Sequence, residues 1–127
     1  MLGSGSSQAL PPPPRRFDIA MREYAFDHLP MAPSGRVVVQ VHNAGSLPHQ
    51  VVLVKLPDDL PPLAEQLRSD TRQAVDTLAN LTDRPAGSRN IIAVDLDPGR
   101  YGLVCFLRDP DGLQHHAKGM SSEFRVA

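Results

Sequence analysis

The chain has 127 residues, a formal charge of -1 and an isoelectric point near 6.5, which leaves no basic field to attract nucleic acid or an anionic membrane surface. Thirteen prolines and nine glycines argue against a helical bundle and for short strands joined by many turns, because both residues are poor inside helices. No run of eighteen apolar residues would cross a membrane, no charged segment leads into an apolar export core, and the single cysteine leaves a thiol without an internal disulfide partner.

Residues 1–16, MLGSGSSQALPPPPRR, read as a Gly/Ser-rich linker running into a polyproline rod at 11–14, too poor in apolar groups to fold. Such a segment suits the stretch between a removed signal or anchor and a domain, and a disordered start with no role fits the composition equally. One folded domain is expected over 17–127. FDIAM sets Phe17, Ile19 and Met21 on one face, and Tyr24 and Phe26 carry apolar residues towards a turn at LPMAPSG, predicting a strand and a shorter second one. RVVVQVH alternates Val37, Val39 and Val41 against Val38, Gln40 and His42, so His42 is expected at an edge or in solvent. Asn43-Ala44-Gly45-Ser46 breaks that strand, since Asn and Gly tolerate positive φ. After Pro48 and His49, VVLVKL is the near-continuous apolar run of a strand buried between two layers.

From Pro57 the period changes. Leu63, Leu67, Ala74, Val75 and Leu78 recur at three- and four-residue steps, Pro61-Pro62 suits a first turn, and Asp58 and Asp59 lie near its positive end. These predict a helical insertion around 61–80, interrupted or capped near Ser69-Asp70, with its acidic side chains as surface charge. DRPAGSRN reads as a loop, IIAVDL and YGLVCFL as strands joined by a turn at 97–100, and EFRVA as a closing strand. About seven short strands and one helical insertion predict an all-β fold, a Greek-key β-sandwich.

The segment 97–126 holds the cysteine, Cys105, two of the five histidines, His115 and His116, and Met120 just beyond a Lys-Gly step. Thiolate, imidazole and thioether are soft donors that together prefer copper over hard cations, and His49 is placed to add a second imidazole. A lone Cys is usually a small buried hydrophobe and a lone Met a gap-filler; their order and spacing together make them a metal-ligand set. Cys and two neutral imidazoles in a plane, with a long weak thioether bond, accept Cu(I) and Cu(II) with little rearrangement. Spacing leaves both His115 and His116 open. His115 is preferred because the reach over 117–119 lets the loop turn at Gly119, leaving His116 a partly exposed neighbour at the site edge.

NAGSLPHQVVL together with PGRYGLVC…H…GM…F.V resembles the cupredoxins, the blue-copper family of plastocyanin and azurin. The resemblance spans 17–126 in strand order and is specific in those two motifs. It implies one type 1 copper held by His49, Cys105, His115 and Met120, and a one-electron shuttle that serves redox partner proteins. It also implies a monomer in an extracytoplasmic location; the Gly- and Pro-bounded chain of the C-terminal loop is expected to bring the His115 imidazole near the surface, where a partner docks. Two departures stand out. Nine residues separate Cys105 from His115, longer than compact ligand loops of the family, and the extra length is expected to fold outward as a type I turn at 109–112. Gln50 stands where plastocyanin and azurin have an asparagine that buttresses the loop, so the outer hydrogen bonding differs. A copper carrier or store would use the same donors, and a metal-free β-sandwich interaction module is a further alternative. An enzyme has the least support: Val104 and Phe106 flank Cys105 where multicopper oxidases have histidines, and His28 and His42 are too scattered to nominate a second centre.

Overall fold

The structure, a computed structural model, describes Leu10 and residues 13–127; most of the linker expected over 1–16 lies outside the described residues. The chain runs β1 (Arg15–Arg22), β2 (Ala25–Asp27), β3 (Met31–Ala32), β4 (Gly35–Asn43), β5 (His49–Leu56), α1 (Leu63–Arg68), β6 (Asp76–Arg84), β7 (Arg89–Leu96), β8 (Gly99–Val104) and β9 (Ser121–Val126). Two sheets face each other, one ordered β2-β1-β4-β7 and the other β3-β9-β8-β5-β6. Both are mixed, because β1 runs parallel to β4 and β3 parallel to β9 while the remaining pairs are antiparallel. Among the described residues no helix is long and apolar enough to cross a membrane.

Alternation builds the core. Phe17, Ile19 and Met21 of β1 and Val37, Val39 and Val41 of β4 point inward, against Val51 and Leu53 of β5, Tyr101 and Leu103 of β8, and Phe124 and Val126 of β9. Each such side chain withdrawn from water contributes about 1.5–3 kcal/mol. His42 lies on the opposite face of β4 but is half-buried, neither in solvent nor at a sheet edge, because β4 is flanked by β1 and β7. β5 is buried on both faces: Val52, Val54 and Leu56 form a second cluster with Leu60, Leu63 and Val104, which explains its continuous apolar run.

The helical insertion expected over 61–80 is shorter than its spacing predicts. α1 ends at Arg68, Ser69 is already extended (φ -88°, ψ 141°), and Asp76–Arg84 is a strand paired with β5. Two register irregularities explain why its period of two is illegible. Between the Leu53–Ala79 and Val54–Thr77 pairs, Leu78 is an extra residue, and another falls between the His49–Arg84 and Val51–Leu81 pairs; each bulge reverses the alternation. What survives is a half-buried edge strand rich in Thr, Asn and Asp, whose backbone groups pair along β5 instead of within a helix. The loop expected at DRPAGSRN shrinks accordingly to residues 85–88.

One buried cation fixes the proline-rich corner before α1. Arg100 is 8% exposed, and its guanidinium donates to both carboxylate oxygens of Glu123 (2.6 and 2.9 Å) and to the carbonyls of Pro57, Leu60 and Pro61. Glu123 in turn accepts the Leu63 N–H at 2.8 Å. Five donors in a rigid fork suit a corner whose carbonyls have no strand partner.

Candidate metal centre

His49 opens β5 immediately after the loop 44–48, and Asn43 shapes that loop. Its fully buried side chain donates to the carbonyls of Leu47 (2.9 Å) and Arg84 (2.8 Å), while its Oδ1 accepts the Gly45 N–H (3.0 Å), the turn chemistry expected of Asn. Glu23, in the turn between β1 and β2, accepts the N–H groups of Ser46 (2.9 Å) and Leu47 (2.8 Å). Gly45 permits this approach, since a Cβ there would stand 2.5 Å from Glu23 Oε1.

The second donor loop leaves β8 at Cys105 and returns to β9 at Met120, tied across its neck by the Cys105 N–H to the Met120 carbonyl (3.2 Å) and the His116 N–H to the Cys105 carbonyl (3.0 Å). Within it, residues His115–Lys118 make one 3₁₀ turn closed by Gly119 at φ 108°, where glycine is favoured.

These two loops bring three donors together. His49 Nδ1 and His115 Nδ1 lie 3.2 Å apart, and Cys105 Sγ is 3.4 Å from His115 Nδ1. The three ligand atoms all fall within 4.8 Å of one another, the one such His/Cys/Asp/Glu grouping among the described residues. His49 and Cys105 are fully buried and His115 is 2% exposed. Burial pushes the Cys105 thiol up, opposed by N–H groups of Gln50 and Leu107. It pushes His49 down towards neutral imidazole, opposed in part by Glu23. Converging lone pairs withdrawn from water are costly unless a proton or cation is shared among them, and a sulfur with two imidazole nitrogens matches copper's preferences rather than those of magnesium or calcium. Met120 is fully buried in the same apolar core as Cys105.

The far nitrogen of each ring is also held. His49 Nε2 lies 3.1 Å from Glu23 Oε1, and His115 Nε2 lies 2.8 Å from Asp109 Oδ1. The other Asp109 oxygen accepts from Lys118 Nζ (2.7 Å) and from the Tyr24 hydroxyl, and the Tyr24 ring meets His115 edge-on at 5.2 Å. Lys118 first, then Tyr24 and His115, hold the Asp109 carboxyl well below the usual carboxylate range.

This arrangement departs from the expected surface position of His115. Its outer nitrogen is covered because the 109–112 turn folds outward only beyond its first residue. Gly112 N–H reaches the Asp109 carbonyl (2.8 Å) and Asp109 N–H the Leu113 carbonyl (3.0 Å). Residues 110–113 are exposed, while the Asp109 side chain points back inward and is 11% exposed. His116 stays outside the cluster, half-buried, with Nε2 on Gln114 Oε1 (2.8 Å) and its ring against Phe106. His28 is bonded to the Leu29 carbonyl and the Ser122 hydroxyl.

Gln50 links the two donor loops. Its N–H points at Cys105 Sγ (3.4 Å), its side-chain oxygen accepts the Phe106 N–H (3.1 Å) and its amide donates to Asn80 (3.0 Å). Sequence reasoning did not find Glu23, Tyr24, Asp109 or Lys118. Acidic and aromatic residues at turns are ordinarily solvated, and the one available signal was an aspartate six residues before a ligand candidate.

No protein-family model and no curated protein sequence matches the chain. Solved structures do. Reduced auracyanin from Roseiflexus castenholzii superposes with a TM-score of 0.60 at 24% identity, covering 88% of this chain and 96% of that one. Auracyanin A from Chloroflexus aurantiacus, described as a blue copper protein, gives 0.58 at 15% identity over 90% and 99%. Rusticyanin from Thiobacillus ferrooxidans gives 0.59 at 17% identity over 88% and 76%. At these identities the likeness is one of fold, and it is the cupredoxin fold that the two donor motifs resemble.

Proposed function

We propose that the chain is a type 1 copper protein that carries one electron at a time between partner proteins, with His49, Cys105, His115 and Met120 around a single metal. The observation that carries this reading is the buried convergence of two imidazole Nδ1 atoms and one thiol sulfur within 4.8 Å. When bound, copper supplies a one-electron Cu(I)/Cu(II) couple. The protein's part is to hold its donors still, because a site that rearranges little exchanges electrons fast.

Two backbone-knitted loops on a β-sandwich do this, with Gln50 spanning them. Four protein donors leave no open coordination position for a substrate, which favours a shuttle over a metalloenzyme. Retention favours it over a copper carrier or store. Cys105 is fully buried, and both rings are held at Nε2 by carboxylates, so release requires several bonds to part together. A monomer working outside the cytoplasm, as in the family it resembles, completes the proposal.

The test is spectroscopic. Protein loaded with one equivalent of Cu(II) develops an intense visible thiolate-to-copper absorption, and Cys105→Ala abolishes it while the far-ultraviolet circular dichroism is unchanged. A wild-type protein that stays colourless at full loading sinks the blue-copper reading.

A further inference from the structure

Each proposed ligand imidazole has a carboxylate on the nitrogen that faces away from the other donors, and the two carboxylates reach the centre from different directions. Glu23 Oε1 meets His49 Nε2 at 3.1 Å, and Asp109 Oδ1 meets His115 Nε2 at 2.8 Å. An imidazole whose Nε2–H is donated to a carboxylate keeps its Nδ1 lone pair free, and it becomes a stronger electron donor at that atom.

Neither carboxylate is a loosely placed surface charge. Glu23 is fixed by two backbone N–H groups of the loop that precedes His49. Asp109 is fixed by Lys118 and the Tyr24 hydroxyl, leaving its side chain 11% exposed. Glu23 and Tyr24 are adjacent, so one turn, between β1 and β2, contacts both imidazoles: Glu23 bonds His49, and Tyr24 meets the His115 ring edge-on and also bonds its carboxylate partner Asp109. Lys118 also bonds Asp111 (2.8 Å), which closes the outer side of the loop over His115.

We propose that Asp109 and Glu23 are positioning residues of the centre. They clamp both rings Nδ1-first, and Asp109, braced by Tyr24 and Lys118, seals the His115 ring from solvent. This rests on the copper reading of the same donors. Carboxylates accepting from both rings make the two imidazoles stronger donors, which favours Cu(II) over Cu(I), so the pair also holds the reduction potential down even with Lys118 beside Asp109. Electrons then cross a covered edge, through Asp109 and the Tyr24 ring, and not through an open imidazole.

The experiment uses the full chain, wild type and the variants Asp109→Ala, Asp109→Asn and Glu23→Gln, each checked for fold by circular dichroism. In the Cu(I) form, nitrogen-edited NMR should show an Nε2–H resonance for both His49 and His115 that exchanges slowly with water. Asp109→Ala should speed exchange at His115 at least tenfold and leave His49 unchanged, with Glu23→Gln altering His49 alone. Competition titration should show Cu(II) binding weakened about 10- to 100-fold in Asp109→Ala. Asp109→Asn, which keeps the shape and an acceptor but not the charge, should raise the reduction potential by about 59 mV for each tenfold loss of Cu(II) over Cu(I) preference. If blue, copper-loaded wild type shows rapid His115 ring exchange, or if Asp109→Asn leaves the potential where it was, the positioning role is overturned while the copper reading stands. Failure of wild type to bind copper would overturn both.

Discussion

Replacing Asn43 with alanine tests how the first donor loop is built. The side chain is fully buried and makes three hydrogen bonds, to the Leu47 and Arg84 carbonyls and from the Gly45 N–H. Each is worth about 1 kcal/mol net, with more lost where a partner is left buried and unpaired. Asn43→Ala should therefore cost about 3 kcal/mol, which for a domain of this size lowers the melting temperature by about 12 °C at roughly 4 °C per kcal/mol. Asn43→Asp is the sharper comparison. It preserves size and the acceptor for Gly45 but turns a donor into a carboxylate facing two carbonyls, so it should be at least as damaging as alanine. Urea and thermal melts of the metal-free proteins measure both, and copper titration measures the effect on His49. A loss below about 1 kcal/mol in Asn43→Ala, or an Asn43→Asp variant nearly as stable as wild type, would refute the account of this loop.

His115→Ala should erase the visible absorption and His116→Ala should keep it, since His116 bonds Gln114 and lies outside the donor cluster; the reverse result, read by absorption of the two copper-loaded variants, would move the ligand by one position. Glu123 is held below the ordinary carboxylate range chiefly by Arg100. Its contribution to stability is therefore complete above about pH 4.3 and is lost as the pH falls below that towards its folded value. Melts from pH 7 to pH 3 should show Glu123→Gln with a shallower acid loss than wild type, and Arg100→Leu should cost about 2–4 kcal/mol at neutral pH by stranding Glu123 and three carbonyls. Shortening the exposed 110–113 turn while keeping Asp109 should lower the melting temperature only slightly, because loop length costs stability slowly, and should weaken copper binding less than a deletion that includes Asp109, which should cost tenfold or more in affinity by titration.

The core and the donors were readable because both are written in local signals. The alternation of 17–21 and 37–41 fixes which faces are buried, and the uninterrupted apolar run of 51–54 marks a strand covered on two sides. His49, Cys105, His115 and Met120 stand out because their chemistry is uncommon and their order is specific. β6 was not readable, since two bulges each reverse its alternation and Leu78 stands at a misleading helical spacing from Val75, which precedes the strand. The carboxylate clamps were not readable for a different reason. Glu23 and Asp109 are turn residues of ordinary composition, and their role comes from a tertiary approach, one that depends on Gly45 having no side chain and on the ligand loop being long enough to fold Asp109 back over His115.

The measurement that bears most directly on the one-electron shuttle is redox cycling under competition for the metal. Copper-loaded protein is reduced with ascorbate and reoxidised with ferricyanide, repeatedly, in the presence of a Cu(I) chelator of moderate affinity, while the visible band is followed. A buried thiolate and two clamped imidazoles should give complete bleaching and full return of colour over many cycles, with no copper passing to the chelator. Prompt transfer of copper to the chelator on the first reduction would contradict the shuttle and make this a protein that delivers or stores the metal.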